Sequence, residues 1–200
     1  MNRQFEPSEF VTATDGTPYH IRIRPEALAD NVILVGDPAR VDLIAGKLDK
    51  VGDKTSNREI VSCKGEYKGK PITVLSTGMG VGCIDIVVNE LDICANVDLE
   101  KREPKPVHRS LNLIRIGTCG SLQDDLEVGT HVASAYAIGI DGLAYYYKGL
   151  EKINDEKLIE QFLKQTSWDK KLPYPYAVKA DNELLNRIAS DAHKGITITA

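Results

Sequence analysis

The sequence predicts an α/β fold in which a mixed, mostly parallel central sheet is flanked by helices. Short apolar or mostly apolar runs, such as residues 32–35 and 111–116, alternate with segments whose apolar residues recur at helical spacing. Apolar runs of this length are typical of strands buried on both faces, and helices between such strands cover a parallel sheet. The predicted organisation is a polar N-terminal arm over residues 1–30 and one α/β domain over residues 31–200.

The first half of the chain begins its regular structure with the apolar run at residues 32–35, which predicts a strand. A helix is predicted from Pro38 to about Leu48, because Asp37 is a favoured N-cap and proline a favoured first helical residue. The further elements predicted in this half are strands over residues 60–67 and 72–77, a second helix that opens at residues 78–82, and a charged loop over residues 99–110.

The second half of the chain also alternates between strands and helices. Its predicted elements are strands over residues 111–116 and 130–140, a segment at 142–147 that pairs nearby, helices over 155–164 and 181–193, and a strand that begins at residue 195. The last letters, GITITA, end inside that strand, so we expect a domain that is incomplete at its C-terminus.

Composition and charge exclude several classes of function. The formal net charge of −4 argues against a surface that binds nucleic acid. No apolar stretch approaches 18 residues, and the first residues lack the apolar core of a signal peptide, so we expect a cytoplasmic protein that does not bind membranes. The cysteines form no CxxC pair and have no histidine at zinc spacing, which predicts reduced thiols and no metal site. They are Cys63, Cys83, Cys94 and Cys119.

Three strand-to-turn junctions are rich in small residues: GDPAR at 36–40, STGMGVG at 76–82 and RIGTCGS at 115–121. Ligands of open α/β sheets bind at the carboxyl ends of the strands, where these junctions are expected to converge. Glycine lets the backbone approach a ligand there, and the amides of helix N-termini donate to anions. STGMGVG, with Asp98 further on, also imitates a dinucleotide-binding turn, but its spacing is GxGxG rather than GxGxxG, which leaves NAD binding as an alternative only.

Two arginines beside these junctions predict a bound anion. Arg40 lies in the first turn of a helix, where the positive end of the helix dipole disfavours a cation unless something negative is bound nearby. Arg115 lies in a strand expected to be largely buried, and a buried guanidinium needs a carboxylate or phosphate partner. An internal acid could be that partner, but two arginines at neighbouring strand ends are typical of a fork for phosphate, to which Thr118 can add a hydroxyl.

GDPAR, STGMG and RIGTCGS, in this order and at these separations, resemble the nucleoside phosphorylase family, which includes uridine phosphorylase and the hexameric purine nucleoside phosphorylases. The resemblance runs from about Asn31 to the C-terminus, and Arg-Ile-Gly-Thr and Ser-Thr-Gly are closer to the uridine enzyme. In this family phosphate attacks C1′ of ribose and the N-glycosidic bond breaks. The resemblance therefore implies reversible phosphorolysis of uridine-type nucleosides to free base and ribose 1-phosphate, with inorganic phosphate as co-substrate and no other cofactor.

The resemblance also implies roles for individual residues. Those implied to bind phosphate are Gly36, Arg40, Arg58, Arg115 and Thr118. Those implied to face the nucleoside are His20, Cys119 and Gly120. Arg115 and Thr118 take the catalytic role, Arg58 reaches the phosphate in a neighbouring subunit's site, and His20 reaches the ribose 5′-hydroxyl across a dimer interface. A homo-oligomer, either a dimer or a trimer of dimers, is therefore expected.

Two features depart from the family pattern. Some relatives hold a monovalent cation between subunits with a glutamate that corresponds to Glu59, but Cys83 stands where they have a serine ligand, so no metal is predicted. The segments that read the base and grip the ribose hydroxyls follow the strand that matches GITITA, beyond Ala200. Purine nucleoside phosphorylase activity, or a non-catalytic phosphate- or nucleotide-binding domain, therefore remain open as alternatives.

Overall fold

The chain divides into two compact units, Met1–Cys119 and Gly120–Ala200. The structure is a computed structural model that describes residues 3–199. Each unit has its own sheet, its own α-helices and its own buried core. Mixed sheets with flanking helices confirm the predicted α/β class. The predicted boundary between an arm over residues 1–30 and a domain over residues 31–200 stays a prediction.

The described part of the first unit contains seven strands and two α-helices. They are β1 (Asn31–Val35), α1 (Pro38–Ala45), β2 (Lys50–Asn57), β3 (Ile60–Tyr67), β4 (Lys70–Ser76), α2 (Val81–Asn96), β5 (Val97–Asp98), β6 (Glu103–Pro104) and β7 (Asn112–Ile116). The predicted strands and helices of this unit are present, and α1 starts after the N-cap Asp37 as expected but ends at Ala45, before the predicted Leu48. The predicted loop over residues 99–110 contains the two-residue strand β6, which pairs with β5. The sequence does not predict β2, because its residues are polar and mostly exposed; β2 forms through antiparallel pairing with β3.

Five of these strands form one sheet in the order β2-β3-β4-β1-β7. Strand β1 lies inside the sheet and pairs in parallel with β4 on one side and β7 on the other. The side chains of Val32 and Val35 in β1 are completely buried. Because β1, β4 and β7 run in the same direction, their carboxyl ends lie next to each other at one edge of the sheet.

The larger core of the first unit packs helix α2 against the sheet and against the segment before β1. Ile21, Ile23 and Leu28 from that segment are buried together with Val32 and Leu91. Burying each such side chain contributes about 1.5–3 kcal/mol. The polar N-terminal segment is therefore anchored by a few apolar residues that belong to the core of the first unit.

The second unit is built on a smaller sheet. Its described elements are β8 (Val132–Gly139), α3 (Glu156–Thr166), β9 (Tyr176–Lys179), α4 (Asn182–Ile188) and β10 (His193–Thr199). The strand order is β10-β8-β9, with β10 parallel and β9 antiparallel to β8. The buried core consists of Ile138, Ile159 and Ala177, with partly buried neighbours around them. Within residues 3–199, no helix of either unit combines the length and the apolarity that crossing a membrane needs.

The second unit differs from the sequence prediction at three places. The segment at 142–147 does not pair as a strand but forms a short 3-10 helix, Leu143–Tyr146, which follows Gly142 with its left-handed φ of 79°. The helix predicted over residues 181–193 ends at Ile188, and β10 begins at His193, earlier than expected. The four residues of β9 are too short a run to show alternation, so the sequence does not predict this strand.

Candidate functional site

The three small-residue turns follow strands of the first unit that lie side by side, as the sequence predicts. Val35, the last residue of β1, lies opposite both Ser76 at the end of β4 and Ile116 at the end of β7. The contact continues into the turns, since the Thr77 N–H donates to the Val35 carbonyl at 2.8 Å. The turns therefore open at one edge of the sheet, which is where open α/β sheets bind ligands.

Gly36 is the residue at which the three turns meet. A methyl group built on its Cα would lie 3.7 Å from the carbonyl oxygen of Gly78 and 3.8 Å from Nη2 of Arg115. These are ordinary van der Waals distances, and the φ of Gly36 is not left-handed, so the fold itself would accept alanine here. The backbone at Gly36 thus lies directly beside an arginine, with room for a methyl group at van der Waals distance.

Arg115 is exposed, and the prediction that its strand is largely buried is wrong at this residue. The reason is that β7 is the outer strand of the five-stranded sheet. The guanidinium folds back over its own turn and lies close to Gly117. A methyl group built on Gly117 would be only 2.7 Å from Nη1 of Arg115. Within residues 3–199, no side chain or carbonyl forms a hydrogen bond or ion pair with this guanidinium. An internal acid is therefore not its partner there.

The other predicted phosphate and nucleoside residues near the turns occupy different positions. Arg40 lies in the first turn of α1, half-buried, and its guanidinium has no hydrogen-bond partner among the described residues. Asp37 caps this helix, with Oδ1 accepting from a backbone N–H at 2.9 Å. Thr118 and Cys119 are exposed in the turn after β7, and Gly120 is the first residue of the second unit. That Arg40 and Arg115 bind one anion stays a prediction.

The start of helix α2 provides backbone donors at the second turn. Gly80 is its N-cap, with φ 88° and no side-chain cap, so side chains leave the first N–H groups of the helix free. Gly78 has a φ of 74°, and a methyl group on it would lie 2.9 Å from Cγ of Glu59 and 3.6 Å from Sγ of Cys83. Both the backbone conformation and this close approach require glycine at position 78.

Glu59 and Cys83 therefore both lie beside Gly78. That no metal is bound stays a prediction. Among residues 3–199, no group of three histidine, cysteine, aspartate or glutamate side chains is placed to hold a metal ion. The four cysteines are free thiols, and those of Cys63 and Cys94 are buried. Burial raises the pKa of the Cys94 thiol to about 12.

His20 and Arg58 belong to a second group of residues, which we call the His20 cluster: Tyr19, His20, Asn57, Arg58 and Glu90. The Tyr19 ring lies edge-on to the His20 ring at 5.0 Å, and the Arg58 guanidinium lies 5.9 Å from the centre of the same tyrosine ring. The amide of Asn57 donates to the carbonyl oxygens of both Tyr19 and His20 at 3.0 Å. The structure thus places the two residues implied to serve a neighbouring subunit beside one another.

Glu90 binds the His20 segment from the other side. One carboxylate oxygen, Oε2, accepts from the backbone N–H groups of His20 at 2.9 Å and Ile21 at 2.8 Å. The other, Oε1, lies 2.6 Å from Nδ1 of the His20 ring. Sequence reasoning missed Glu90 and Asn57. A signal for Glu90 was available, because it is a charged residue on the same face of α2 as the buried Val87 and Leu91.

A cavity of about 440 Å³ lies elsewhere in the first unit. It is lined by residues of the segment 15–27 and of strands β2, β3 and β4, with charges of both signs. None of its described lining residues belongs to the three turns. It is therefore separate from the predicted anion site, which is an open edge of the sheet rather than a closed pocket.

Two curated relatives are similar in sequence to this chain. The uridine phosphorylase of Thermococcus kodakarensis is 30% identical over 151 residues, which cover 76% of this chain and 50% of the relative. A DeoD-type purine nucleoside phosphorylase of Bacillus thuringiensis is 38% identical over 110 residues, which cover 54% of this chain and 41% of the relative. The chain thus spans half or less of the length of these curated relatives.

One similar solved structure is a nucleoside phosphorylase of Trypanosoma brucei, described as showing uridine phosphorylase activity. The TM-score is 0.79 at 28% sequence identity, and the match covers 96% of this chain and 68% of the other. A family model described as the Phosphorylase superfamily matches residues 30–200, which include all three turns. The chain therefore belongs to the Phosphorylase superfamily.

Proposed function

We propose that this chain carries the phosphate-binding part of a nucleoside phosphorylase that cleaves uridine-type nucleosides reversibly to free base and ribose 1-phosphate. Inorganic phosphate is the co-substrate, and no other cofactor takes part. The observation that carries the proposal is the guanidinium of Arg115, which has no hydrogen-bond or ion-pair partner among residues 3–199 and lies beside Gly36. A cation kept free at the carboxyl ends of three parallel strands is typical of a site that receives an anion.

Phosphate in this site is held by the predicted ligands of the first and third turns, residues 36–40 and 115–121. Arg115 and Arg40 supply charge, Thr118 a hydroxyl, and Gly36 room for the backbone to approach. Each charge-assisted hydrogen bond contributes about 1.5–3 kcal/mol to the binding of the anion. The held phosphate then attacks C1′ of ribose, and the bond to the base breaks with its electron pair leaving on the base. Phosphate also places negative charge beside the oxocarbenium-like transition state.

The preference for uridine-type nucleosides has support from two similar proteins. The Thermococcus relative is named as a uridine phosphorylase, and the Trypanosoma structure is described as showing that activity. The second candidate is purine nucleoside phosphorolysis, which is supported by the higher identity, 38%, of the Bacillus relative over a shorter match. The first candidate is preferred because its match extends over more of the chain.

The assembly and location are part of the same proposal. His20 and Arg58 serve the site of a neighbouring subunit, so the active species is a homo-oligomer, a dimer or a trimer of dimers. Cys119 and Gly120, which follow Thr118, face the nucleoside. The protein acts in the cytoplasm and binds neither nucleic acid nor membranes. If the active protein sediments as a monomer, the proposed homo-oligomer is wrong.

The test uses the protein as its gene encodes it. Release of uracil from uridine and of hypoxanthine from inosine is measured with saturating phosphate and with phosphate omitted. We expect phosphate-dependent release of uracil that exceeds release of hypoxanthine. Faster release of hypoxanthine would favour the purine activity. Phosphate binding with release of neither base would favour a non-catalytic binding domain and overturn the proposal.

A further inference from the structure

We infer that Glu90 is a positioning residue that places the proton of the His20 ring on Nδ1 and directs the other ring nitrogen, Nε2, toward the ribose. The substrate named in this inference rests on the proposed function. Its structural basis does not, because it lies entirely in the hydrogen bonds of the His20 cluster. Glu90 contacts no reacting atom and acts through His20.

The proton assignment follows from the acceptors of Glu90. As a carboxylate, Glu90 can only accept hydrogen bonds. Because its Oε1 lies 2.6 Å from Nδ1 of His20, Nδ1 must carry the proton in this pair. In the neutral ring, Nε2 then has a free lone pair, and within residues 3–199 no donor occupies it. This nitrogen can accept a hydrogen bond from a hydroxyl group such as the 5′-hydroxyl of ribose.

The orientation of the ring follows from the backbone contacts. Oε2 of Glu90 accepts from the N–H groups of His20 and Ile21, while the Asn57 amide donates to the carbonyl of His20. The Cys94 thiol, one turn after Glu90, donates to the carbonyl of Ile23 at 3.4 Å. Glu90 is only 8% exposed, so these bonds are shielded from water. Backbone and ring of His20 are thus fixed by the same carboxylate.

Glutamine at position 90 would preserve the shape of the side chain and move the ring proton of His20 from Nδ1 to Nε2. Its single carbonyl oxygen has to face the two backbone N–H groups now bound to Oε2. An amide NH₂ there would face two donors and leave the Ile21 N–H without an acceptor, while the His20 N–H would keep only its longer contact of 3.2 Å to the Oε1 position. The NH₂ group then faces Nδ1 of His20, which has to become the acceptor. The ring proton moves to Nε2. A purely structural role of Glu90 predicts no such exchange between the two nitrogens.

The first test determines which nitrogen of the His20 ring carries the proton, and it does not require the protein to be catalytically active. Nitrogen-15 NMR of the histidine side chains at neutral pH distinguishes a ring protonated at Nδ1 from one protonated at Nε2. We expect the Nδ1–H form for His20 in the unsubstituted protein and the Nε2–H form in E90Q. The matched control is D92N, which changes an exposed carboxylate on the same helix. An Nε2–H ring in the unsubstituted protein would overturn the inference even if phosphorolysis is confirmed.

The second test uses substrates with and without the group that His20 is proposed to meet. For E90A we expect kcat/KM with uridine to fall by up to about 100-fold, the scale of a misplacement of about 1 Å. With 5′-deoxyuridine the loss should be several times smaller, and it should be absent when H20A is the starting protein. Equal losses with both substrates, or in both backgrounds, would show that Glu90 only supports the fold. If neither substrate is cleaved by the unsubstituted protein, the proposed function fails while the NMR result still decides the proton.

Discussion

The polar side chains of the three turns and those of the His20 cluster differ in whether they are hydrogen-bonded within the protein. At the turns, the guanidinium groups of Arg115 and Arg40 have no hydrogen-bond partner among residues 3–199. In the His20 cluster, the ring, the backbone N–H and the backbone carbonyl of His20 are all bonded, to Glu90 and Asn57. The difference matches the chemistry of the proposed ligands, which are a charged phosphate for the turns and a neutral hydroxyl for the cluster.

The physical reason lies in the strength of the two kinds of contact. A hydrogen bond to phosphate contributes about 1.5–3 kcal/mol, enough to order a free arginine, and an internal acid would only compete with the ligand. A neutral hydrogen bond contributes about 1 kcal/mol, which is comparable to the entropy lost when a side chain is fixed. A group that meets a hydroxyl therefore has to be oriented beforehand. Substitutions at the turns should affect binding, and those in the cluster should affect stability as well.

The largest effect on binding is expected for R115A. Loss of the charge beside Gly36 should raise KM for phosphate roughly tenfold to a hundredfold, which corresponds to about 1.5–3 kcal/mol. The free energy of unfolding should stay within about 0.5 kcal/mol of the original value, because the guanidinium has no partner to lose in the described part. Phosphate-dependent kinetics and urea denaturation measure the two. R187A, which removes another exposed arginine, is the control, and a destabilised R115A with unchanged KM would contradict the comparison.

The second-largest effect on KM for phosphate is expected for G117A, which displaces the Arg115 side chain without removing it. The added methyl group would lie 2.7 Å from Nη1 of Arg115, so the flexible guanidinium has to shift. The φ of Gly117 is not left-handed, so alanine leaves the backbone unstrained. We expect KM for phosphate to rise about tenfold, since a displacement of about 1 Å is costly in a preorganised site. G46A is the control, and a melting temperature that falls more in G117A than in G46A would argue against a local effect.

A loss of stability is expected at high pH from Cys94, whose thiol donates to the carbonyl of Ile23 in the segment that follows His20. Its pKa is raised by burial from 9.0 to about 12. Above pH 9 the unfolded chain binds fewer protons than the folded one, so the free energy of unfolding falls as pH rises, until the folded thiol titrates near pH 12. At pH 10 the loss should be about 1.4 kcal/mol.

The contribution of Cys94 is isolated by comparing the unsubstituted protein with C94A. Urea denaturation at pH 8 and pH 10 measures the free energy of unfolding of both proteins, since lysines and tyrosines titrate in both. We expect the stability of C94A to fall less over this range. An equal fall in the two proteins would show that the thiol does not remain protonated within the core of the first unit.

The smallest effect on stability is expected for R58A. Arg58 lies in the His20 cluster but resembles the arginines at the turns, because it is exposed and has no hydrogen bond or ion pair with another of residues 3–199. Its guanidinium lies 5.9 Å from the centre of the Tyr19 ring. The free energy of unfolding should change by less than about 0.5 kcal/mol. If Arg58 serves a neighbouring subunit, KM for phosphate should nevertheless rise. A larger destabilisation in urea, with unchanged KM, would place Arg58 among the structural residues.

The strands around the three turns were predictable because their signals are local. Residues 32–35 are a short apolar run, residues 111–116 are mostly apolar, and Asp37 and Pro38 mark a helix start. The polar strand β2 was not predictable, because its residues are strand only through pairing with β3. The 3-10 helix after Gly142 was also missed, since a left-handed φ at glycine does not specify which structure follows it.

The sequence by itself determined the α/β class, the order of the turns and the residue types that point to phosphate, because each depends on neighbours along the chain. Only the tertiary structure decided that Arg115 is exposed, that its guanidinium lies against Gly36, and that Glu90 holds His20. These are contacts between residues up to 79 positions apart. Strand order and helix packing bring such residues together, and no local pattern of amino acids records which distant side chain will be the partner.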